Sequence, residues 1–103
     1  MAAIDHSALD APLTKAVTLD GTSQQVKWPA NTRYVSFRFL TTAGIYQLGS
    51  TGDPLTVPVN EWYGVAVMAD KHTGNADTKD YQLYLDGTLG NVVDIEYSVI
   101  GGR

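Results

Sequence analysis

The sequence predicts an all-β protein: a single small antiparallel β-sandwich of about eight strands, jelly-roll-like, with an extended N-terminal arm. Three observations carry this. Apolar and polar residues alternate along Arg33-Tyr34-Val35-Ser36-Phe37-Arg38-Phe39-Leu40 and along Val93-Asp94-Ile95-Glu96-Tyr97-Ser98-Val99, and side chains on a strand point to opposite faces in turn. Gly, Asn, Asp and Pro recur between such segments and mark turns. No segment spaces its apolar residues at the helical period. The 103 residues suit one domain with a core of its own.

The elements follow in order. Residues 1–12 lack periodicity, and Ile4 and Leu9 are their bulky apolar side chains apart from Met1. They read either as a frayed terminus or as an arm that orders on a neighbouring subunit, with residues 13–100 as the sandwich and 101–103 as a short tail. In Leu13 to Leu19, Leu13, Val17 and Leu19 share a face, with Lys15 as the exception. Asp20-Gly21 is a turn signal, because glycine accepts positive φ without a Cβ clash. Gln24 to Trp28 resumes the alternation with Val26 and Trp28 inward, so the two segments are expected to form a hairpin. Pro29 to Thr32 is a loop. Val35, Phe37 and Phe39 are expected inside, with Ser36 and Arg38 outside.

Ile45 to Leu48 reads as a short strand. Leu55 to Val59 is another, placed at a sheet edge because Pro58 has no N–H for a ladder. Trp62 to Ala69 is apolar on both faces, as in a strand covered from both sides. The stretch 70–80 is polar and reads as a surface loop. Tyr81 to Leu85 and Val92 to Ile100 complete the set, with Val93, Ile95, Tyr97 and Val99 inward.

Composition excludes several function classes. Eleven acidic residues face seven basic ones, for a net charge of −4, and the basic residues are scattered. Nucleic acid needs a positive stripe against its phosphates, so it is not an expected partner. The longest strictly apolar run, Val65 to Ala69, is far short of the roughly 20 residues that span a bilayer, so no membrane association is expected. Met1 to His6 has neither a basic nor an apolar region of signal-peptide type, which leads to the expectation of synthesis in the cytoplasm. There is no cysteine, which removes disulfides and thiolate chemistry.

The search for chemistry finds little. His6 and His72 have no histidine partner at a metal-ligand spacing. The Asp-rich loop at 70–80 departs from the EF-hand pattern. No serine stands in a Gly-x-Ser-x-Gly turn. Asp94 and Glu96 share an outward strand face, which suits a wet sheet surface better than glycoside hydrolysis. The expectation is a protein without catalytic residues, metal or cofactor. The aromatics argue for binding: Tyr34, Trp62 and Tyr84 fall on outer faces, where rings stack on sugars or anchor protein interfaces. Ile4, Leu9, Trp62, Met68 and Tyr84 are the candidate interface residues.

The segments Val17-Thr18-Leu19 and Val26-Lys27-Trp28-Pro29, then Ala43-Gly44-Ile45-Tyr46-Gln47-Leu48-Gly49 and Pro58-Val59-Asn60-Glu61-Trp62-Tyr63, resemble in style the small β-domains of tailed-bacteriophage virions. The similarity spans about residues 13 to 100 and contains no diagnostic motif. It implies a capsid decoration, or cement, protein: a trimerising jelly-roll-like domain that clamps capsomers, with the major capsid protein as partner and the capsid surface as location. The alternative is a carbohydrate-binding sandwich module, or a tail- or fibre-associated host-recognition protein.

Overall fold

The computed structural model describes residues 3–49, 51–67 and 82–99. Among these are nine strands and no helix: β1 (Ile4–Asp5), β2 (Leu13–Thr18), β3 (Gln24–Lys27), β4 (Tyr34–Phe39), β5 (Gly44–Leu48), β6 (Leu55–Val57), β7 (Tyr63–Ala66), β8 (Leu83–Asp86) and β9 (Val92–Ser98). They form a five-stranded sheet in the order β1-β3-β8-β5-β6 and a four-stranded sheet in the order β2-β9-β4-β7. Pairing is antiparallel except for β1 on β3.

The alternation read from the sequence matches the burial. Val35, Phe37 and Phe39 on β4, Val93, Ile95 and Tyr97 on β9, and Val26 with Trp28 after β3 are all fully buried. Leu83 and Leu85 on β8 and Val57 on β6 meet them from the other sheet. Lys15 lies opposite Ile95 in the β2–β9 register, on the core-facing side, yet it stays exposed. β2 is an end strand, and an inward charge there discourages a further chain from pairing. Ser36 faces outward as expected but is buried, with Glu96 and Gly64 beside it on the neighbouring strands.

The expected hairpin of Leu13 to Leu19 with Gln24 to Trp28 does not form. β2 pairs with β9 and β3 with β8, so the two strands lie in different sheets. The Asp20-Gly21 turn is still a turn: Gly21 has φ 86°, and Thr22 donates both its N–H and its hydroxyl to Asp20 Oδ1. It carries the chain from one sheet to the other. Leu19 continues the pairing beyond β2, donating to Asn91 O at 2.8 Å and accepting from Gly90 N at 3.0 Å. Alternation specifies which face is buried; it does not specify which strand lies alongside.

The N-terminal segment also differs from expectation. Ile4 and Asp5, assigned to an arm beyond the sandwich, form an end strand of the five-stranded sheet. Ile4 is 4% exposed and belongs to the core. His6 N donates to Lys27 O at 2.9 Å, and His6 Nδ1 lies 2.5 Å from the Tyr97 hydroxyl, which joins this end of the chain to the opposite sheet. Deleting residues 1–12 therefore removes a core side chain and an inter-sheet hydrogen bond.

His6 has a consequence for pH. Burial is the main cause that holds its pKa below the usual 6.5; Lys15 adds to the effect and Asp5 opposes it. Burial also raises the Tyr97 hydroxyl above its ordinary 10, so Tyr97 stays neutral beside the imidazole. The unfolded chain takes up a proton near pH 6.5 while the folded chain resists it. Stability contributed by neutral His6 is thus complete above pH 6.5 and is lost as pH falls toward the depressed folded value. Urea titrations at pH 8 and pH 5.5 are expected to show a smaller loss on acidification in His6→Asn than in wild type. Equal losses would exclude His6 as the sensitive group.

Candidate interface

The five residues singled out from the sequence are not brought together. Ile4 is spent in the core, and Leu9 is exposed in the connection from β1 to β2. Trp62 precedes β7 on the outer side of the four-stranded sheet, and Tyr84 sits half-buried on the outer side of the five-stranded sheet. Met68 and the Asp-rich stretch at 70–80 lie outside the described residues. Among the described residues, no group of three His, Asp or Glu side chains converges.

Trp62 is engaged within its own chain. The Arg38 guanidinium stands 4.8 Å from its ring centroid, and Arg38 Nη2 donates to Asp94 Oδ2 at 3.0 Å. Arg38 and Asp94 face each other in the β4–β9 register, so the sheet itself aligns carboxylate, guanidinium and indole. This explains the outward carboxylate of Asp94: it orients the arginine that covers the tryptophan.

Four of the exposed large apolar side chains lie elsewhere, along the side where β6 ends one sheet and β7 ends the other; Leu89, 75% exposed, stands apart in the β8–β9 turn. Leu55 is 51% exposed and Leu48 48%, with Val59 and Tyr63 exposed as well. Geometry makes them one seam. Leu55 lies opposite Tyr46 in the β5–β6 register, and the Tyr46 ring is 6.2 Å from that of Tyr63 on the other sheet. Leu48 shares a cleft of about 60 Å³ with Val65, Val67 and the buried Trp28. Side chains at these two sheet edges are left partly open to solvent, although Tyr46 and Tyr63 still meet across the sheets.

Over Trp62 to Val67, the described part of the stretch expected to be covered on both faces, the single chain leaves apolar surface open to a subunit. β7 pairs only with β4, and Tyr63, Gly64 and Ala66 are exposed. Its apolar character marks an open edge. β6 does lie at a sheet edge, as Pro58 indicated. Pro54 and Pro58 flank it and have no N–H, which discourages strand addition. A partner at the seam meets side chains more readily than main chain.

The sequence reading missed Leu48, Leu55, Val59 and Tyr63 because each occupies an alternation position that suits a core. The available signal was Pro58, since a strand marked as an edge exposes part of its inner row. Comparison with known proteins finds no matching family model, no matching curated protein and no matching solved structure.

Proposed function

We propose that this chain is a non-enzymatic virion structural protein, a capsid decoration or cement protein that bridges capsomers as a homotrimer docked on the major capsid protein. The supporting observation is the apolar seam of Leu48, Leu55, Val59 and Tyr63 on a domain that has otherwise closed its own core. A contiguous exposed apolar surface of this kind favours a protein partner. The chain changes sheet at nearly every connection, with β5–β6 the exception in which consecutive strands pair. That path suits a jelly-roll-like sandwich. Leu9, exposed between β1 and β2, is the portion of the expected arm left available for a neighbouring subunit.

Size-exclusion chromatography with light scattering tests the assembly. The wild-type chain is expected to run as a trimer and Leu55→Asp as a monomer with an unchanged β-sheet circular dichroism spectrum. Leu55 sits half-exposed on an edge strand, so the variant loses little core burial. A monomeric wild type, or a variant that still trimerises, overturns the seam as an interface. Mass spectrometry of purified virions of the encoding phage tests location. The protein is expected in many copies, and its absence overturns the virion assignment.

A further inference from the structure

We propose that the outer face of the five-stranded sheet carries a binding site for a neutral sugar ring, centred on Tyr84. This site is separate from the seam and does not depend on the virion reading.

Tyr84 lies in the middle of the sheet, directly opposite Gln25 on β3 and Gln47 on β5. Its hydroxyl donates to Gln82 Oε1 at 3.1 Å. Gln82 precedes it by two positions, on the same face of the chain, so the ring tilts along the sheet toward Gln82. The tilt clears the space above the next outward position, Asp86. A depression of about 200 Å³ opens there, lined by Ser23, Ile45, Gln47, Pro54, Tyr84 and Asp86.

Its lining specifies the ligand. Ile45, Pro54 and the Tyr84 ring give an apolar floor and wall, matched to the C–H face of a saturated ring. Around them stand oxygen acceptors. Asp86 Oδ1 already accepts from Gly87 N at 2.7 Å, which holds the carboxylate while a carboxylate keeps further acceptor capacity for a ligand. Gln47 Nε2 is committed to Gly49 O at 2.9 Å, which orients the amide and offers Oε1 as an acceptor. Ser23 adds a hydroxyl that donates or accepts. A ligand here must donate several hydrogen bonds and bury one apolar face, as a ring with neighbouring hydroxyls does. The Asp86 charge, on a chain of net charge −4, disfavours phosphate or carboxylate ligands. The volume lies below the roughly 300–1,000 Å³ of pockets that enclose drug-sized ligands, which limits the site to about one ring.

The test is an amide-resolved NMR titration of the full chain with glucose, galactose, mannose and N-acetylglucosamine. At least one sugar is expected to give saturable shifts at Ser23, Ile45, Gln47, Asp86 and Gly87. Titration to about 100 mM covers affinities well weaker than the roughly 1 mM that corresponds to about 4 kcal/mol of binding. Tyr84→Ala is expected to weaken binding about tenfold through loss of the stacking face, and Tyr84→Phe, which keeps that face but loses the bond that holds the tilt, to weaken it by an intermediate factor. Asp86→Asn keeps the shape and the acceptor for Gly87, and is expected to weaken binding severalfold; it carries the test if Tyr84→Ala does not fold. No saturable shifts at these residues with any of the four sugars, or equal affinity in the folded variants, overturns the site.

Discussion

Replacing Phe37 with alanine is expected to destabilise the fold by about 3–5 kcal/mol, the range for deleting a buried phenylalanine. Phe37 is fully buried in the middle of β4. Its ring lies 6.1 Å from that of Phe39 at 71° and 5.5 Å from that of Tyr46 at 51°. Phe39 is on the same sheet and Tyr46 on the other, so Phe37 spans the interior. Phe39 in turn packs so closely on Gly44 that a Cβ there would fall 2.2 Å from its ring. Neither neighbour has room to collapse into the space without breaking its own contacts, which places the cost toward the upper end. For a domain of this size the melting temperature is expected to fall by about 15–30 °C. Thermal and urea denaturation measure it, and a loss under about 1.5 kcal/mol would show that the two sheets do not share this core. Since Tyr46 also meets Tyr63, the same variant is expected to loosen the seam and weaken assembly.

Asn91→Leu is expected to cost about 2–4 kcal/mol, from three lost hydrogen bonds and the buried groups left without partners. Asn91 follows the β8–β9 turn and is buried. Its Oδ1 accepts from Thr41 N at 3.1 Å and from Thr42 N at 3.3 Å, and its Nδ2 donates to Thr42 O at 3.0 Å. Its main-chain oxygen accepts from Leu19 N at 2.8 Å. This one residue therefore ties the start of β9 to the exit of β4 through its side chain and to the end of β2 through its main chain. Asn91→Asp keeps the two accepted bonds and loses the donated one, so it is expected to fall between wild type and the leucine variant. Urea denaturation with an unchanged slope measures both. A leucine variant as stable as wild type would show that water replaces the amide at no cost.

Much of the scaffold was legible along the chain. Val35, Phe37, Phe39, Val93, Ile95 and Tyr97 were readable as core because a strand buried on one face repeats every two residues. Pro58 announced an edge because a residue without an N–H cannot sit inside a ladder. The turn at Asp20-Gly21 was readable for its φ requirement. Its consequence was not, since a tight turn leads equally into a hairpin or across to a second sheet. Asn91 read as a turn residue; its three side-chain bonds reach residues about fifty positions earlier, and no local pattern records them. The interface candidates came from the N-terminal segment and from outward aromatic and apolar positions, whereas the seam is built from Leu48, Leu55, Val59 and Tyr63 at the ends of strands and beside them.

The sequence by itself determined an all-β chain, the inward row of each main strand and the position of one edge. These follow from local chemistry: side-chain alternation, backbone freedom at glycine and the missing donor of proline. Only the tertiary structure decided that β2 lies beside β9, that Ile4 closes the core, that Arg38 covers Trp62, and that Leu48, Leu55 and Tyr63 open to solvent at the ends of the inner rows. Each is a contact between residues far apart in the chain. Such contacts depend on how two twisted sheets close over one another, and alternation within a strand carries no information about its neighbour.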